Sequence, residues 1–592
     1  MSNSQTSKVE QSVGRYFSRA SAADFKKIPG SPIAYWASET IRDAFDKAPS
    51  FGEVIRPKVG LQTGSNEKFM RAWHELSIKK IGFSLGSREE AVKEEFKWFP
   101  YNKGGDWRKW YGNCEYVVDW EDDGSRIRNF KDDNGKVRSR PQNTDFYFKE
   151  GITWADITTS SFAARFSPKG FIFDVKGSSG FPAENVLNLA IGLMNSKLML
   201  GFMRILNPTA TFQVGDMSRV PFVSPEVGGQ EVEANANKLI ALGRNDWNSY
   251  ETSWGFTNLP LLHHDYCQPT LKSSYQKLRA YWREITLEMQ RLEEENNRIF
   301  IDAYRLQGEL MPEVPLNEVT LTCNPHYRYG TEKSEDELEA LLLADTMREL
   351  VSYAVGCMFG RYSLGKPGLI LANQGETLAD YLAQVPQPNF PADDDNVIPL
   401  LDGDWFPDDI TLRFRQFLRV AFGDAHYEDN LAFIEQALNV KGKRNYSLRD
   451  YFLGEFYADH VKRYKKRPIY WLFSSPKGTF SALVYLHRYR PDTVSVVLSY
   501  LRDFRKKLAS RLDYLQQVAI NPSASQSEKT KAIKEGETVK KQLLELDDYE
   551  RETLYPLATE QVALDLDDGV KVNYLKLGSA LKKIVGLEAK ED

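Results

Sequence analysis

The sequence contains no hydrophobic run long enough to cross a membrane. A membrane-spanning helix needs about 20 mostly apolar residues, and no such uninterrupted stretch occurs in the 592-residue chain. The amino terminus, MSNSQTSKVEQSVGRYFSRASAADF, also lacks the apolar segment of a signal peptide. We therefore expect a cytoplasmic protein that has no membrane partner.

Cysteine is scarce and forms no motif. The 4 cysteines are far apart and include no Cys-x-x-Cys pair, which excludes a zinc ribbon and argues against a disulfide framework. The pair His263-His264 with Asp265 offers metal-ligating atoms, but adjacent side chains point in different directions and no second cluster completes a ligand set. We predict that the chain binds no metal and that its cysteines are reduced: Cys114, Cys267, Cys323 and Cys357.

An excess of positive charge is also lacking. The net charge is −5, from 77 basic and 82 acidic residues, whereas phosphate contacts need lysine and arginine. The acidic residues collect around residues 393–409 and near the carboxyl terminus, so basic stretches elsewhere remain as local positive potential. The group at 393–409 lacks the carboxylate and lysine pattern of a magnesium-dependent nuclease. We expect it to be a solvated acidic loop.

The length of the chain predicts several domains in an α+β fold, because it exceeds one ordinary hydrophobic core. Short β-type runs alternate with turns early in the chain, and helical spacing prevails later. This predicts a mixed α/β domain, a long helical spacer and a mostly helical carboxy-terminal region. The predicted divisions are a polar lead-in and connector at 1–50, the mixed domain at 51–235, a linker and spacer helix at 236–315, a second mixed domain at 316–500, and a helical hairpin and tail at 501–592.

Two helices can be placed from their apolar spacing. Residues 187–206 carry apolar side chains three and four apart, which predicts one helix with a buried face. Residues 275–306 carry the same spacing without a break, with the polar Asn296 fixing the register of the seam. Such a helix would extend roughly 50 Å, the length of a spacer between domains. Further predicted elements are strands at 82–85, 116–118, 146–148, 171–173 and 469–473, and helices at 335–359 and 409–422.

A turn ends the first of these helices. Pro208 cannot continue the hydrogen-bond ladder and pushes Asn207 out of the helical region. Gly215 supplies a second turn before the segment Val-Pro-Phe at 220–222. We predict that Asn207, Pro208 and Gly215 shape this part of the domain.

Residues 97–113, KWFPYNKGGDWRKWYGN, interleave basic and aromatic side chains around two glycines. Glycine lets backbone amides approach phosphate, and basic side chains neutralise it. An aromatic core edge with solvated lysines is the alternative, but more basic residues follow at 126–140, which favours DNA contact. The segment 150–181 adds hydroxyl side chains at 158–161 and one arginine. The predicted DNA contacts in this domain are Lys103, Arg108, Lys109, Arg126, Arg128, Arg138 and Arg165.

A second basic cluster, RYKKR at 463–467, precedes a proline and an apolar run. A charged helix end that complements the helix dipole is the structural alternative. We favour phosphate contact by Lys465, Lys466 and Arg467, because the cluster is dense and Pro468 fixes where the helix stops.

Several of these segments together resemble a known family. The segments 59–73, 97–113, 150–181 and 193–222 (LMNSKLMLGFMRILNPTATFQVGDMSRVPF) appear in the order seen in adenine-N6 DNA methyltransferases of the bacteriophage-exclusion (BREX) type, the PglX family. Segments 293–321, 352–364, 463–489 and 565–574 continue the match. The resemblance implies that residues 51–235 are a target-recognition domain for double-stranded DNA. It also implies phage defence together with other BREX proteins, and use of S-adenosylmethionine by the complete protein.

The catalytic motifs of that family are missing. Amino-methyltransferases need a glycine-rich loop for S-adenosylmethionine and an Asn/Asp-Pro-Pro-Tyr/Phe loop that holds a flipped adenine. The nearest match, Asn324-Pro325-His326-Tyr327, has histidine for the second proline and is predicted to be a structural turn. We expect a chain without cofactor of its own and inactive alone, whose partner is the missing amino-terminal methyltransferase half. A non-enzymatic assembly scaffold and an unrecognised nuclease remain as alternatives.

Overall fold

The computed structural model describes residues 21–157, 161–209 and 211–588. It is a mixed α+β fold of many helices and small sheets, which confirms the predicted fold class. The predicted hydroxyl contacts at 158–160 lie outside the described residues. The described α-helices are α1 (Ala22–Lys26), α2 (Glu39–Lys47), α3 (Phe51–Ile55), α4 (Asn66–Phe69), α5 (Arg88–Lys93), α6 (Glu121–Arg128), α7 (Leu187–Met194), α8 (Lys197–Leu206), α9 (Val214–Ser218), α10 (Gly229–Trp247), α11 (Leu271–Ala303), α12 (Pro325–Tyr329), α13 (Glu335–Met358), α14 (Leu378–Gln384), α15 (Ile410–Phe422), α16 (Tyr427–Leu438), α17 (Leu448–Tyr451), α18 (Tyr457–Arg463), α19 (Thr493–Ile520), α20 (Gln526–Tyr549), α21 (Tyr555–Glu560) and α22 (Gly569–Lys576).

The strands are short. They are β1 (Met70–Ala72), β2 (Trp98–Asn102), β3 (Tyr116–Asp119), β4 (Gly151–Trp154), β5 (Ala164–Ser167), β6 (Ile172–Phe173), β7 (Ser179–Gly180), β8 (Val397–Pro399), β9 (Tyr470–Ser474) and β10 (Ser481–Tyr485).

The chain divides into two compact units. Unit 1 takes in the described residues up to Ser65 together with 82–247 and 282–331. Unit 2 takes in 66–81, 248–281 and the described residues from 332 onward. Each unit is built from segments that are separated in sequence, whereas the domains predicted from the sequence are consecutive stretches whose boundaries stay predictions.

Two small sheets organise unit 1. Strand β2 pairs antiparallel with β3 and parallel with β6, and all five of its residues are buried. Strand β4 pairs antiparallel with β5 and β7. All residues of β2 and β4 are buried, including the polar Asn102 and Thr153.

Residues 187–206 form two helices, not the single predicted helix. Helices α7 and α8 meet at a bend of 72°. The side chain of Asn195 accepts a hydrogen bond from the Ala164 amide at 2.9 Å and donates to the Ala164 carbonyl at 3.0 Å. Ser196 then begins α8. Apolar spacing cannot reveal this bend, because the contact with strand β5 that fixes it is distant in sequence.

The long helix is present as α11, with bounds close to the prediction. Its residues from Trp282 onward belong to unit 1, where Asn296 is buried and donates a hydrogen bond to the Gly192 carbonyl of α7 at 2.9 Å. Asn296 therefore fixes the position of this part of the helix by a hydrogen bond to backbone, in keeping with the register role predicted for it.

Unit 2 contains an antiparallel sheet in the order β8-β10-β9. Helices α19 and α20 are joined by a short turn and bury Leu501, Leu508 and Leu546 in the same hydrophobic core as Val484 of the sheet. The helical hairpin predicted near the carboxyl terminus is therefore present. The predicted strand at 469–473 and the helices at 335–359 and 409–422 are also found, within a residue or two of their predicted ends.

Three sequence expectations for this region and the first sheet are wrong. Residues 82–85 and 146–148 form no strand. The first segment is irregular with a bend at Ser84, and the second starts with the last residue of the 3-10 turn Thr144–Phe146. The acidic group at 393–409 is not simply a solvated loop. Asp409 is buried, accepts a hydrogen bond from the Thr411 amide as the cap of α15, and contacts Arg449, and Asp393 is also buried. Carboxylates that cap helices and pair with cations can be buried at acceptable cost.

No single described helix is long and apolar enough to cross a bilayer, and the bent pair α7–α8, which has the required composition, is largely buried.

The buried carboxyl of Asp393 predicts a pH-dependent stability. Burial, and then the neighbouring Asp395, raise the pKa of Asp393 to about 7. The native state therefore holds this proton more tightly than the unfolded chain, so the free energy of unfolding should fall as the pH rises from about 4 to about 7. Asp393→Asn cannot ionise. We expect the variant to gain stability relative to the parent by on the order of 1–3 kcal/mol between pH 5 and pH 8 in urea titrations.

The matched control is Asp402→Asn, which changes an exposed aspartate of the same loop. It should show no such pH-dependent difference. An equal difference for both variants would contradict the assignment of the effect to Asp393.

Candidate nucleic-acid interface

The basic and aromatic segment at 97–113 begins as strand β2 and continues as a tight loop. Gly104 and Gly105 both have positive φ, at 100° and 115°. A side chain at Gly105 would clash with Asn113, whose amide nitrogen would lie 2.8 Å from the added carbon. Lys103, next to these glycines, pairs its Nζ with Asp174 at 3.0 Å and is about one-quarter exposed. Glycine is therefore needed at these positions for the backbone conformation and for the close approach of Asn113.

Arg108 is buried in unit 1. Its guanidinium donates to Asp246 Oδ2 at 2.6 Å, to Thr322 Oγ1 at 2.8 Å and to the Tyr111 carbonyl at 2.8 Å. It also stacks 5.1 Å from the ring of Trp247. Asp246 and Trp247 end helix α10, so the arginine joins the loop to that helix.

Lys109 is buried beside it and contacts a different helix. Its ammonium group donates a short hydrogen bond to Glu293 of α11, and the Trp110 indole donates to the other oxygen of the same carboxylate at 2.6 Å. Burial raises the pKa of Glu293, which the lysine contact opposes. The ammonium group and the indole offset part of the cost of burying a charge on this carboxyl group.

Arg165 of strand β5 is also buried, and burial lowers its pKa to about 10. Its guanidinium donates, at 3.4 Å each, to the carbonyls of Arg108 and Gly104. Arg108, Lys109 and Arg165, which the sequence predicts as DNA contacts, are therefore all buried in unit 1. Their charged groups form hydrogen bonds with other residues of unit 1. A buried arginine or lysine needs such partners to replace water. Whether any of them contacts DNA stays a prediction.

The other predicted contacts of this domain lie nearer the surface. Arg126 is half-exposed and pairs with the buried Asp119 at 2.5 Å. Arg128 pairs with Asp123 at 3.1 Å and stacks on Trp120. Arg138 is more than half exposed, and its nearest carboxylate, Asp132, is 3.8 Å away.

Arg138 belongs to a basic hairpin, which we define as residues 130–140. The Asp132 amide donates to the Lys136 carbonyl and the Arg138 amide to the Phe130 carbonyl, so two short arms run antiparallel around a turn that contains Gly135 with φ of 77°. The Ser139 hydroxyl anchors its base by donating to the Ile127 carbonyl at 2.5 Å. Its exposed cations are Lys131, Lys136, Arg138 and Arg140.

Three of these cations are available for an external partner. The side chains of Lys131, Lys136 and Arg140 have no hydrogen-bond or ion-pair partner in the part of the chain that the structure describes. Of the four hairpin cations, only Arg138 is among the DNA contacts predicted from the sequence. The Asn134-Gly135 pair between basic residues is typical of a hairpin turn and indicates the basic hairpin in the sequence.

Asn207 lies where α8 ends and makes several side-chain hydrogen bonds. Its side chain donates to Asp216 at 2.7 Å and to Thr211 at 3.2 Å, and accepts from the Thr209 amide at 3.1 Å, where α8 ends. Pro208 follows in an exposed position. Gly215 lies in the first turn of the short helix α9 with open space around it, so it does not form the second turn predicted from the sequence.

The basic cluster at 463–467 in unit 2 is divided between interior and surface. Arg463 ends α18 and pairs with Glu251 at 3.1 Å. Lys465 and Lys466 are exposed with positive φ, at 48° and 63°. Arg467 is mostly buried, 3.8 Å from Glu75. Only the two lysines have the exposure that phosphate contact requires, and that contact stays a prediction.

His263, His264 and Asp265 do come together. The Asp265 carboxylate lies 3.3 Å from His263 Nδ1 and 3.1 Å from His264 Nε2. They are the one group of metal-ligating side chains found in the described residues, and two of the three are exposed. No fourth ligand joins them within that group.

The segment Asn324-Pro325-His326-Tyr327 is a structural turn, as predicted. Asn324 is buried, its amide donates to the carbonyls of Leu316 and Val319, and its oxygen accepts from the His326 amide to begin α12. The Tyr327 hydroxyl donates to the Trp107 carbonyl at 2.6 Å. Neither polar group is free to hold an adenine.

The described residues do not fit S-adenosylmethionine, the cofactor that the family resemblance implies for the complete protein. Nucleotide-type cofactors are held where a parallel strand leads through a glycine-rich loop into a helix. Strands β2 and β6 are parallel, but β2 leads through Gly104 and Gly105 to β3, and β6 leads to β7. Neither strand leads directly into a helix, so no step of a methyl transfer is assigned to them.

The chain is similar to two proteins over nearly its whole length, although no protein-family model matches it. The adenine-specific methyltransferase BrxX of Escherichia coli O9:H4 (strain HS) is 37% identical over 576 residues, which are 95% of this chain and 45% of that protein. The adenine-specific methyltransferase PglX of Lacticaseibacillus casei (strain Zhang) is 36% identical over 587 residues, 97% of this chain and 46% of that protein. The chain is therefore similar to part of two adenine-specific methyltransferases. It spans a little less than half the length of each, which supports the resemblance found in its motifs.

The buried ion pair between Lys109 and Glu293 predicts a large effect on stability. Lys109→Met leaves the Glu293 carboxylate buried without its cation, so we expect unfolding to become easier by about 3–5 kcal/mol. The double variant Lys109→Met with Glu293→Gln removes both charges and should recover part of that loss. Urea denaturation followed by circular dichroism measures both.

Arg291→Met on the same helix is the control, because its pair with Glu288 is exposed on both sides. It should change stability little. A Lys109→Met variant as stable as this control would show that the buried pair does not hold the loop.

Proposed function

We propose that this chain is the DNA-recognition portion of a BREX-type, phage-defence adenine-specific DNA methyltransferase. In this proposal it binds double-stranded DNA in the cytoplasm and positions a catalytic domain that uses S-adenosylmethionine. The main support is that at least 95% of the chain is similar to two adenine-specific methyltransferases, in each of which the similar region is less than half of the protein. Such a share suits one functional portion of a larger enzyme.

The basic hairpin supports DNA as the ligand. It presents four exposed cations. The carboxylate of Asp132, one of its acidic residues, accepts hydrogen bonds from the amides of Asn134 and Lys136 within the turn. Lysines there would neutralise phosphates, and an arginine can form two hydrogen bonds with a guanine edge in the major groove.

The remaining support is that the described part of the chain forms neither an adenine-binding loop nor a cofactor site of the methyltransferase type. Asn324 is used as a helix cap and the strand topology does not fit the cofactor. In the proposal, therefore, this portion alone does not methylate DNA, and its partners are the catalytic half and other BREX proteins.

The test is binding to a mixed pool of DNA duplexes at two salt concentrations, followed by sequencing of the retained fraction. We expect a variant with Lys131, Lys136, Arg138 and Arg140 changed to Ala to bind about a hundredfold more weakly at physiological salt. The slope of log affinity against log salt should fall by roughly 3–4, because each lost phosphate contact removes about 0.9.

The matched control removes four exposed cations elsewhere in unit 1, by changing Lys26, Lys47, Lys93 and Arg204 to Ala. Equal weakening by both variants would mean that only overall charge matters and would contradict the hairpin assignment. If the parent chain binds no duplex at either salt concentration, the DNA proposal fails and the non-enzymatic scaffold becomes the better explanation.

A further inference from the structure

Unit 1 contains a cavity of about 300 Å³ that none of the interactions above uses. Helices α7 and α10 and strand β5 contribute most of its lining. Its apolar walls come from Leu187, Ile240 and Phe166. The volume lies at the lower end of the range for small-molecule sites, roughly 300–1,000 Å³.

A stacked guanidinium forms one side of the cavity. Arg244 of α10 lies 4.9 Å from the ring of Tyr111 and 5.6 Å from the ring of Phe166. The two rings restrict the orientation of the planar group. Its Nε is buried and has no hydrogen-bond acceptor within the described ranges of the chain.

Three more polar side chains line the cavity with unused hydrogen-bonding capacity. Glu150, Asn188 and Asn237 make no side-chain hydrogen bond or ion pair with any residue that the structure describes. Together with Arg244 they supply donors, a carboxylate acceptor and two amides that can both donate and accept. Glu150 and Asn188 are half-buried, and Asn237 is exposed at the rim.

From this arrangement we infer that the cavity binds a nucleobase. A base is planar, carries donors and acceptors only at its rim and has two apolar faces. Arginine planes and aromatic rings stack on such faces, and asparagine pairs with the adjacent donor and acceptor of an adenine edge. A carboxylate accepts from an exocyclic amine. An aliphatic ligand would form no hydrogen bond with these polar groups.

The base can come from two sources with the same chemistry. One is a free nucleoside, which requires nothing else of the chain. The other is a base turned out of bound DNA, which rests on the proposed function and requires that the base be unstacked from its neighbours.

The experiment uses the full chain and two probes. Adenosine, guanosine, cytidine and thymidine are titrated separately by isothermal calorimetry. A duplex with one 2-aminopurine reports unstacking by a rise in fluorescence, while its anisotropy reports DNA binding in the same sample. The variants are Arg244→Met, which keeps an apolar chain beside the rings, and Asn188→Ala. Lys238→Met, an exposed position of α10 outside the lining, is the control.

One supporting result is saturable binding of a nucleoside. Arg244→Met and Asn188→Ala should weaken this binding by about tenfold or more, and Lys238→Met should not. This result supports the site with a free nucleoside as ligand. A fluorescence rise on duplex binding, lost in both variants with anisotropy unchanged, supports it with DNA as the source. No response from either probe, or a response equal in the variants and the parent, overturns the inference. If the anisotropy of the duplex does not change when protein is added, the proposed DNA binding is refuted. The nucleoside titration alone then tests whether the cavity binds a base.

Discussion

Unit 1 depends on two buried ion pairs that fasten one loop to two helices. Arg108 pairs with Asp246 at the end of α10, and Lys109 pairs with Glu293 in the middle of α11. Each charge is almost fully removed from water, so each pair is favourable only while every hydrogen bond around it is complete. The Trp110 indole and the Thr322 hydroxyl complete them. The two pairs therefore hold the loop that follows β2 against both helices.

This constraint decides which cations remain for a ligand. Arg108, Lys109 and Arg165 face inward, and Lys103 is tied to Asp174. The basic hairpin has few such ties, because it is a two-armed surface turn with only Ser139 buried. A chain of net negative charge thus keeps a local positive surface by placing some of its cations in the core and others on one hairpin.

Unit 2 uses buried polar groups in the same way. Arg361 is fully buried, donates to the Tyr485 hydroxyl at 2.7 Å and lies over the rings of Trp73 and Tyr362. Its neighbours include buried histidines, and burial lowers the pKa of His487 to about 3, so this ring is neutral at physiological pH. Aromatic faces and neutral hydroxyls surround this guanidinium in place of water.

The sequence by itself determined the α+β class, the long helix, the carboxy-terminal hairpin and the methyltransferase resemblance, because apolar spacing and residue strings are local properties. It also identified Asn324 as part of a turn. Only the tertiary structure decided the bend at Asn195, the burial of Arg108, Lys109 and Asp393, and the exposure of the hairpin. Each of these depends on a partner distant in the chain, such as Glu293 for Lys109. Charge is visible in a sequence, but the partner that neutralises it is fixed only by folding.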